Sequence, residues 1–341
     1  MREDDMRDGF ADEGIADLWT PVAMSKEVGK APHALTLCGE RLVLFRDNQG
    51  RVAALHDQCP HRGAKLSLGK VGKDGCLECP FHGWRFASGG ACTHIPLNPM
   101  PEEKRQRYAA TAFPVRERGG LIWVYTRPGA EAPDEPFIPP VMEQPGIHVW
   151  HYAETWKTHW TRAMENMLDS PHLPFVHRRT IGGGLARRMK PDSTMEIEVH
   201  PTPTGFRTLS RLDEAPAEGY LDWLRPNGMS LHIPVPQRIM QLFMWCVPVD
   251  ADHTRMMLVS TRDFMKLQPF ASLIDHFNKR ILREDQAVLE SSHPAEVPPV
   301  SEERSVATDR ATLAFRRWYL ERKKRGTREP AALTEAPPLA S

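Results

Sequence analysis

The chain has 341 residues, enough for two domains, and its 44 basic and 44 acidic side chains cancel. That balance gives no global reason to expect nucleic acid or an anionic membrane as a partner. No apolar run reaches the length of a membrane span. The acidic N-terminus, MREDDMRDGFADEGIAD, lacks the apolar core of a signal peptide. Six cysteines in a chain of this length do not make a disulfide scaffold, so a cytoplasmic location with metal-binding or free thiols is expected. Residues 1–17 read as a mobile lead-in and residues 326–341 as a disordered tail. The 31 prolines favour ordered loops over a helical bundle.

In chain order, strand-like runs at 34–37, 41–45 and 52–55 are separated by turn signals such as Asp47-Asn48-Gln49-Gly50. They predict a small antiparallel β domain over residues 18–135. Two loops interrupt it, Cys59-Pro60-His61-Arg62-Gly63 and Cys79-Pro80-Phe81-His82-Gly83-Trp84, with seventeen residues between His61 and Cys79. Each loop delivers one thiol and one imidazole. Cys76 and Cys79 also form a C-x2-C pair, which keeps a zinc site open beside an iron–sulfur one. Cys38, Cys76, Cys92 and Cys246 read as ordinary buried thiols. Leu121 to Tyr125 is a strong strand that closes the domain, and the five prolines from Pro128 to Pro140 mark a linker.

The second domain, residues 136–325, begins with a predicted helix from Lys157 to Leu168. It runs into Glu165-Asn166-Met167-Leu168-Asp169-Ser170-Pro171-His172-Leu173-Pro174-Phe175-Val176-His177. His172 and His177 lie about 140° apart on a helical wheel, and Pro171 and Pro174 rule out a regular helix. An irregular turn is expected to aim both imidazoles at one point. Two His and one carboxylate with open positions is the facial triad of non-haem Fe(II) sites. Arg178 to Pro191, rich in Gly and Arg, is expected to be irregular. Strands follow at 194–199, 206–211, 229–233, 238–247 and 255–262, one antiparallel sheet. A long amphipathic helix from Gln268 to Ser292 carries Phe270, Leu273, Ile274, Phe277, Ile281, Val288 and Leu289 at helical spacing. Asp285 falls on that stripe. A core-facing carboxylate is costly unless paired or metal-bound, which makes it the candidate third ligand; Glu284 and Glu290 are expected to point away into solvent. Met229, Leu231, Met240, Leu242, Phe243 and Met244 supply either an apolar substrate pocket or plain core.

C-x-H followed by C-x2-H, with proline after both cysteines and Gly-Trp after the second histidine, resembles a Rieske [2Fe–2S] domain. The resemblance implies that Cys59 and Cys79 hold one iron and His61 and His82 the other. Respiratory-chain Rieske proteins carry an extra cysteine in each loop. The matching positions here are Ala64 and Phe81, so that bridge cannot form. They also carry a hydroxyl residue where this chain has Trp84, and fewer hydrogen bonds to the cluster imply a lower potential.

Taken together, the two domains resemble the oxygenase component of Rieske non-haem iron oxygenases. The match runs from about Leu18 to the Phe315–Trp318 segment. The motif N-x2-D-x2-H-x4-H is met by Asn166, Asp169, His172 and His177, with Glu165 where Asp is commoner. The run Glu284 to Glu290 matches the region that supplies the carboxylate ligand, Asp285. The similarity is greatest to the O- and N-demethylases and hydroxylases built from one kind of subunit. It implies an α+β fold: an all-β Rieske domain, then a helix-grip catalytic domain of antiparallel sheet and helices. It implies mononuclear Fe(II), O2 as co-substrate and hydroxylation or oxidative demethylation of a small apolar or aromatic substrate, with Asn166 and Asp169 in the catalytic site. It also implies a homotrimer in which Asp169 bridges to the cluster of a neighbouring subunit. No G-x-G-x-x-G follows a strand, and Gly182-Gly183-Gly184 lacks that spacing. Electrons from NAD(P)H would therefore arrive only through a separate reductase or ferredoxin. Arg62, Lys65, Lys70, Lys73 and Arg85 offer either its docking patch or solvated charge. Three other readings remain open on the residues: a ring-hydroxylating dioxygenase, a Rieske electron carrier with a non-catalytic second domain, and a zinc-stapled binding module.

Overall fold

Short, largely apolar runs, punctuated by Gly- and Pro-bearing turns, build the first part of the chain from short antiparallel strands. The computed structural model describes residues 9–217 and 219–325. It divides into two units between Pro139 and Pro140. The first contains, in order, α1 (Gly9–Asp12), β1 (Trp19–Met24), β2 (His33–Leu37), β3 (Glu40–Arg46), β4 (Val52–His56), β5 (Lys70–Val71), β6 (Leu77–Glu78), β7 (Arg85–Phe86), β8 (Cys92–His94), α2 (Glu102–Arg105), β9 (Ala112–Phe113), β10 (Val115–Arg118) and β11 (Leu121–Tyr125).

Three sheets result, in the orders β1-β11-β10, β2-β3-β4-β9 and β5-β6-β7-β8. The strand LIWVY of β11 is buried along its whole length, between β1 and β10. Residues 9–17, expected to belong to a mobile lead-in, are folded instead. Phe10 meets Phe113 edge-on at 6.0 Å, and Ile15 and Ala16 are buried. Two or three apolar anchors dock an otherwise acidic stretch, which composition alone does not show. The earlier part of that lead-in and the tail at 326–341 lie outside the described residues. The core between the β2–β4 and β5–β8 sheets comprises Val43, Phe45, Leu55, Leu66, Leu77 and Phe86, together with Cys59 and Cys79. Complete burial of side chains such as Phe45 and Leu55 contributes about 1.5–3 kcal/mol each, which gives the two cysteines a rigid base.

The second unit contains β12 (His148–Trp156), α3 (Trp160–Leu168), α4 (Leu173–Val176), α5 (Gly183–Arg188), β13 (Met195–Thr202), β14 (Gly205–Leu212), β15 (Tyr220–Leu224), β16 (Gly228–His232), β17 (Met240–Asp250), β18 (His253–Arg262), α6 (Phe270–Leu289) and α7 (Arg310–Arg325). Its strands form one antiparallel sheet in the order β12-β18-β17-β16-β15-β14-β13. The chain thus has the mixed α+β architecture expected of it. Two strands were not anticipated. β12 is half-buried over most of its length without clean alternation, and β15 is only five residues long. The register aligns Thr208, Leu221, Leu231, Leu242 and Ser260 as one row across five strands. Residues in such a row share a face.

The long helices gather on that face. Asn278 of α6 donates to Ser260 Oγ at 3.2 Å. Trp223, two residues beyond Leu221, meets Phe315 and Trp318 of α7 edge-on at 5.7 and 4.9 Å. Trp160 of α3 packs on Phe315 at 5.7 Å. Helix α3 starts at Trp160 rather than Lys157 because the His159 ring caps it, accepting the Thr161 N–H at 3.3 Å. Helix α7 was not anticipated, although its Ala, Leu, Arg, Glu and Lys residues are strong helix formers. Its Arg316 forks onto Glu165 of α3 at 2.7 and 2.9 Å and reaches Glu303 at 2.8 Å.

Helix α6 corrects the expected stripe. Its buried residues are Ala271, Asp275, Asn278, Leu282, Asp285 and Leu289, whereas Phe270, Leu273, Phe277 and Val288 are exposed. The face turned to the sheet carries polar groups because partners await them: Arg262 for Asp275 at 3.0 Å and Ser260 for Asn278. The Arg178–Pro191 segment, expected to be irregular, holds the short helix α5. Among the described residues no helix is long and apolar enough to cross a membrane.

Candidate cluster loops and metal centre

Both Cys/His loops of the first unit adopt one backbone shape. Cys59 N–H donates to Ala64 O at 2.8 Å and Gly63 N–H returns to Cys59 O at 2.8 Å. Cys79 N–H donates to Trp84 O at 2.7 Å and Gly83 N–H to Cys79 O at 3.0 Å. Gly63 and Gly83 stand at φ +71° and +69°, a conformation at which only glycine is at ease. The paired turns sink both thiols into the core and leave both imidazoles at the rim, where the His61 and His82 rings lie 4.6 Å apart. His61 stacks on Trp84 at 4.4 Å and His82 on Phe81 at 3.9 Å, so each ring has an aromatic backing. Burial, with Cys79 close by, pushes the Cys59 thiol up to about 11 in the unloaded protein.

Two sulfurs below and two nitrogens above suit a group longer than a single ion. Among the described residues these four do not converge on one point as a zinc site requires. Cys76 stays apart, its sulfur accepting from Thr93 Oγ1 at 3.5 Å. Of the five cations considered for a docking patch, Lys70 pairs with Glu78, and Arg85 pairs with Glu78 and Asp74. Two of the five are therefore bound locally.

In the second unit Asp169 ends α3, and Pro171 and Pro174 hold the next stretch to the single turn of α4. His172 and His177 are the residues flanking that turn. His172 donates its backbone N–H to Asp169 Oδ2 at 2.9 Å, and its Nδ1 lies 3.1 Å from the same oxygen. His177 Nδ1 lies 3.0 Å from Glu284 Oε2. A carboxylate accepts only, so each Nδ1 carries the proton and each Nε2 presents a lone pair. Those lone pairs face Asp285 Oδ1 at 3.7 Å from His172 and 3.2 Å from His177. Asp285 is buried, and its Oδ1 has no hydrogen-bond partner. The three donor atoms lie within 4.8 Å of one another. Three acceptors converging in a buried place repel one another unless a cation joins them. The residues therefore fit a facial triad. Burial pushes the basicity of His177 down, but Asp285 and Glu284 more than offset it and its pKa is raised. Proton and metal thus compete for one lone pair.

Glu284 and Glu290 correct an expectation, since neither is simply solvated. Glu284 accepts from Thr180 Oγ1 at 2.5 Å besides facing His177, and Glu290 accepts the Lys157 N–H at 3.0 Å. Periodicity judged Glu284 by its angle from the apolar stripe; its length lets it reach around the helix to the α4–α5 turn.

A cavity of about 480 Å³ opens on the triad. Its walls include Asn166, Asp169, Leu221, Leu231 and Leu242. Met229 and Met244 also line it, whereas Met240 and Phe243 do not. For Phe243 the reason is strand alternation, which turns it to the face opposite Leu242. Asn166 Nδ2 and Thr208 Oγ1 are buried at this cavity without hydrogen-bond partners.

Residues 18–108 match the family model of the Rieske [2Fe-2S] domain, and residues 156–324 that of the vanillate O-demethylase oxygenase C-terminal domain. Methylxanthine N3-demethylase NdmB of Pseudomonas putida is 31% identical over 332 residues, 90% of this chain and 89% of its own length. The oxygenase subunit of a tert-butanol monooxygenase / tert-amyl alcohol desaturase from Aquincola tertiaricarbonis is 28% identical over 257 residues. That match spans 69% of this chain but only 54% of the relative. The solved structure of Pseudomonas putida CBB5 NdmA with caffeine superposes at a TM-score of 0.78 with 26% identity, covering 93% of each chain. The chain belongs to the Rieske non-haem iron oxygenases. It is a terminal oxygenase, an oxidoreductase whose cofactors are a Rieske cluster and a mononuclear iron, with O2 as co-substrate.

Gly182 shows how tightly the ligand turn is packed. A Cβ built there would lie 1.8 Å from Leu173 O and 3.1 Å from His177 O, at the two ends of α4. Gly182→Ala is therefore expected to push α4 from its seat, costing about 1–3 kcal/mol of stability and lowering mononuclear iron content. Thermal melting and metal analysis check this, and a variant with unchanged melting and full iron would contradict it.

Proposed function

We propose that Cys59 and Cys79 hold one iron of the cluster and His61 and His82 the other, and that His172, His177 and Asp285 hold the mononuclear iron. On this reading the chain hydroxylates or oxidatively demethylates a small, largely apolar or aromatic molecule in the adjoining cavity. The observation that carries it is the meeting of two imidazole lone pairs and an unpartnered buried carboxylate oxygen in the wall of that cavity. When bound, the iron supplies activation of O2 for attack on a substrate C–H bond, with electrons drawn from the cluster.

The protein's own residues do the rest. Met229, Leu231 and Leu242 exclude water and seat an apolar body. Asn166 Nδ2 and Thr208 Oγ1 wait for a polar atom of the substrate, since leaving them unpaired costs about 1–3 kcal/mol each. Asp169 fixes the His172 ring. The likeness to NdmB over nine-tenths of the chain favours demethylation of an N- or O-methyl group over ring dihydroxylation. Electrons come from a separate reductase or ferredoxin in the cytoplasm. The working form is a homotrimer, in which Asp169 also receives a hydrogen bond from His61 or His82 of the next subunit.

The test is metal analysis followed by turnover. Protein reconstituted without oxygen should hold about three irons and two acid-labile sulfides per chain, and once reduced should show the low average g value of a mixed Cys/His cluster. Supplied with a reductase, it should consume O2 and release formaldehyde with some member of a panel of aromatic ethers and N-methylated amines. Zinc at the four loop side chains would end the cluster assignment. A full cluster with no further iron would leave an electron carrier in place of an oxygenase.

A further inference from the structure

We propose that Glu284 is a positioning residue for the mononuclear centre, bracing His177 from behind so that its Nε2 is aimed before any metal arrives. The proposal rests on His172, His177 and Asp285 being the ligands. Glu284 and Asp285 are successive residues of α6, and they grip one imidazole from both ends. Glu284 Oε2 lies 3.0 Å from Nδ1, and Asp285 Oδ1 lies 3.2 Å from Nε2. Successive helical residues point about 100° apart, so one carboxylate faces the cavity while the other passes around the ring.

The brace is itself held. Thr180 donates its hydroxyl to the same Oε2 at 2.5 Å, and Arg280, one turn earlier on α6, lies 3.5 Å from Oε1. Thr180 and Gly182 both donate their backbone N–H to His177 O at 2.9 Å. The His177 backbone is thus fixed by its own turn, but its ring is free to flip unless something holds Nδ1. Glu284 does this from 107 positions away in sequence. It therefore ties the α4–α5 turn to α6, the two pieces that must meet to form the site.

The two histidines are braced differently. Asp169, which holds His172, belongs to the same loop and also accepts that residue's own backbone N–H. Its orientation comes with the turn. The His177 ring depends on a tertiary contact. A charged acceptor at Nδ1 also makes Nε2 a stronger donor, so Glu284 contributes both aim and basicity, and the two can be separated by substitution. Glu284→Gln keeps an oxygen that can accept from Nδ1–H but removes the charge; Glu284→Ala removes both.

The test uses the full chain with its cluster in place, stripped of mononuclear metal and titrated with Co(II) against a chromophoric chelator. Glu284→Ala is expected to weaken Co(II) binding about 10–100-fold. Glu284→Gln should fall between it and the unchanged protein and shift the visible Co(II) bands, since the field of the imidazole changes while its place does not. The cluster absorbance should be the same throughout. Asp285→Ala serves as the reference. If that variant also binds Co(II) normally, the ligand assignment itself is wrong. If Asp285→Ala loses Co(II) while Glu284→Ala and Glu284→Gln keep normal affinity and normal bands, the ligands stand and the brace is overturned. Should Glu284→Ala fail to fold, the near-isosteric Gln variant decides alone.

Discussion

Asp285→Ala is expected to empty the mononuclear site and abolish turnover while leaving the Rieske cluster intact. Asp285 supplies the sole charge among the three converging donor atoms. Loss of an outer partner of a metal ligand costs about 10–100-fold in affinity, so loss of the charged ligand should exceed about 100-fold. Iron content should fall from about three to about two per chain, with the spectrum of the reduced cluster unchanged. The same substitution should act in the opposite direction on the metal-free protein. There, at a pH above the raised pKa of His177 where its ring is neutral, the buried Oδ1 has no hydrogen bond and faces two lone pairs, an arrangement that costs about 1–3 kcal/mol. Removing it should raise the melting temperature of the stripped chain. Opposite signs with and without metal would mark a carboxylate kept for function at the expense of stability. A variant that keeps its third iron and turns over would show that the ligand lies elsewhere.

Asp169→Asn is expected to keep both metals and a reducible cluster, yet to lose turnover by more than about 100-fold. Its Oδ2 accepts the His172 backbone N–H at 2.9 Å and faces that ring's Nδ1 at 3.1 Å. An amide oxygen can replace those contacts, so the turn and the iron should survive. What it cannot replace is the charge and the second acceptor that the proposed bridge to a neighbouring subunit requires. The discriminating measurement is reoxidation of the prereduced cluster in a single turnover with substrate and O2. In the variant the cluster should stay reduced. Near-normal, well-coupled product formation would show that Asp169 is not the bridge.

How much was legible in the sequence differs from group to group. The cluster loops were readable because the chemistry forces residue types: thiols and imidazoles at fixed spacing, and glycines where φ is positive. For the helix that carries Asp285, the sequence places this carboxylate on the inward face, but the apolar stripe used to locate that face does not line it. Periodicity treated Phe270, Leu273, Phe277 and Val288 as the inward face, yet they are exposed, and Asp275, Asn278 and Asp285 line the inward one. Hydrophobic pattern locates a core, whereas this helix faces a sheet and a cavity that carry polar partners. The contacts of Glu284 with Thr180 and His177 do not show in the sequence, because only the tertiary fold brings those residues to it. Strand β12 pairs with β18, its residues meeting partners about a hundred positions later, and no local pattern marks it. The run Gly182-Gly183-Gly184 marks an irregular stretch in sequence and lacks the nucleotide-binding spacing, while the cause of the first glycine is its approach to the carbonyl of Leu173.

The ion pairs between α3 and α7 bear on how the chain is made. Glu165 sits beside Asn166, on the helix that leads into the turn bearing His172 and His177, and its buried carboxylate is met by Arg316 from 151 positions downstream. Synthesis runs from the N-terminus, and units fold as they emerge. The backbone hydrogen bonds that close the cluster loops lie within the first unit, so the loops can close while the rest is still being translated. Helix α3 cannot. Arg162 of the same helix lies 3.3 Å from Glu165, but the forked pair with Arg316 forms only once α7 has left the ribosome, so the oxygen-activating half of the enzyme matures after the electron-supplying half.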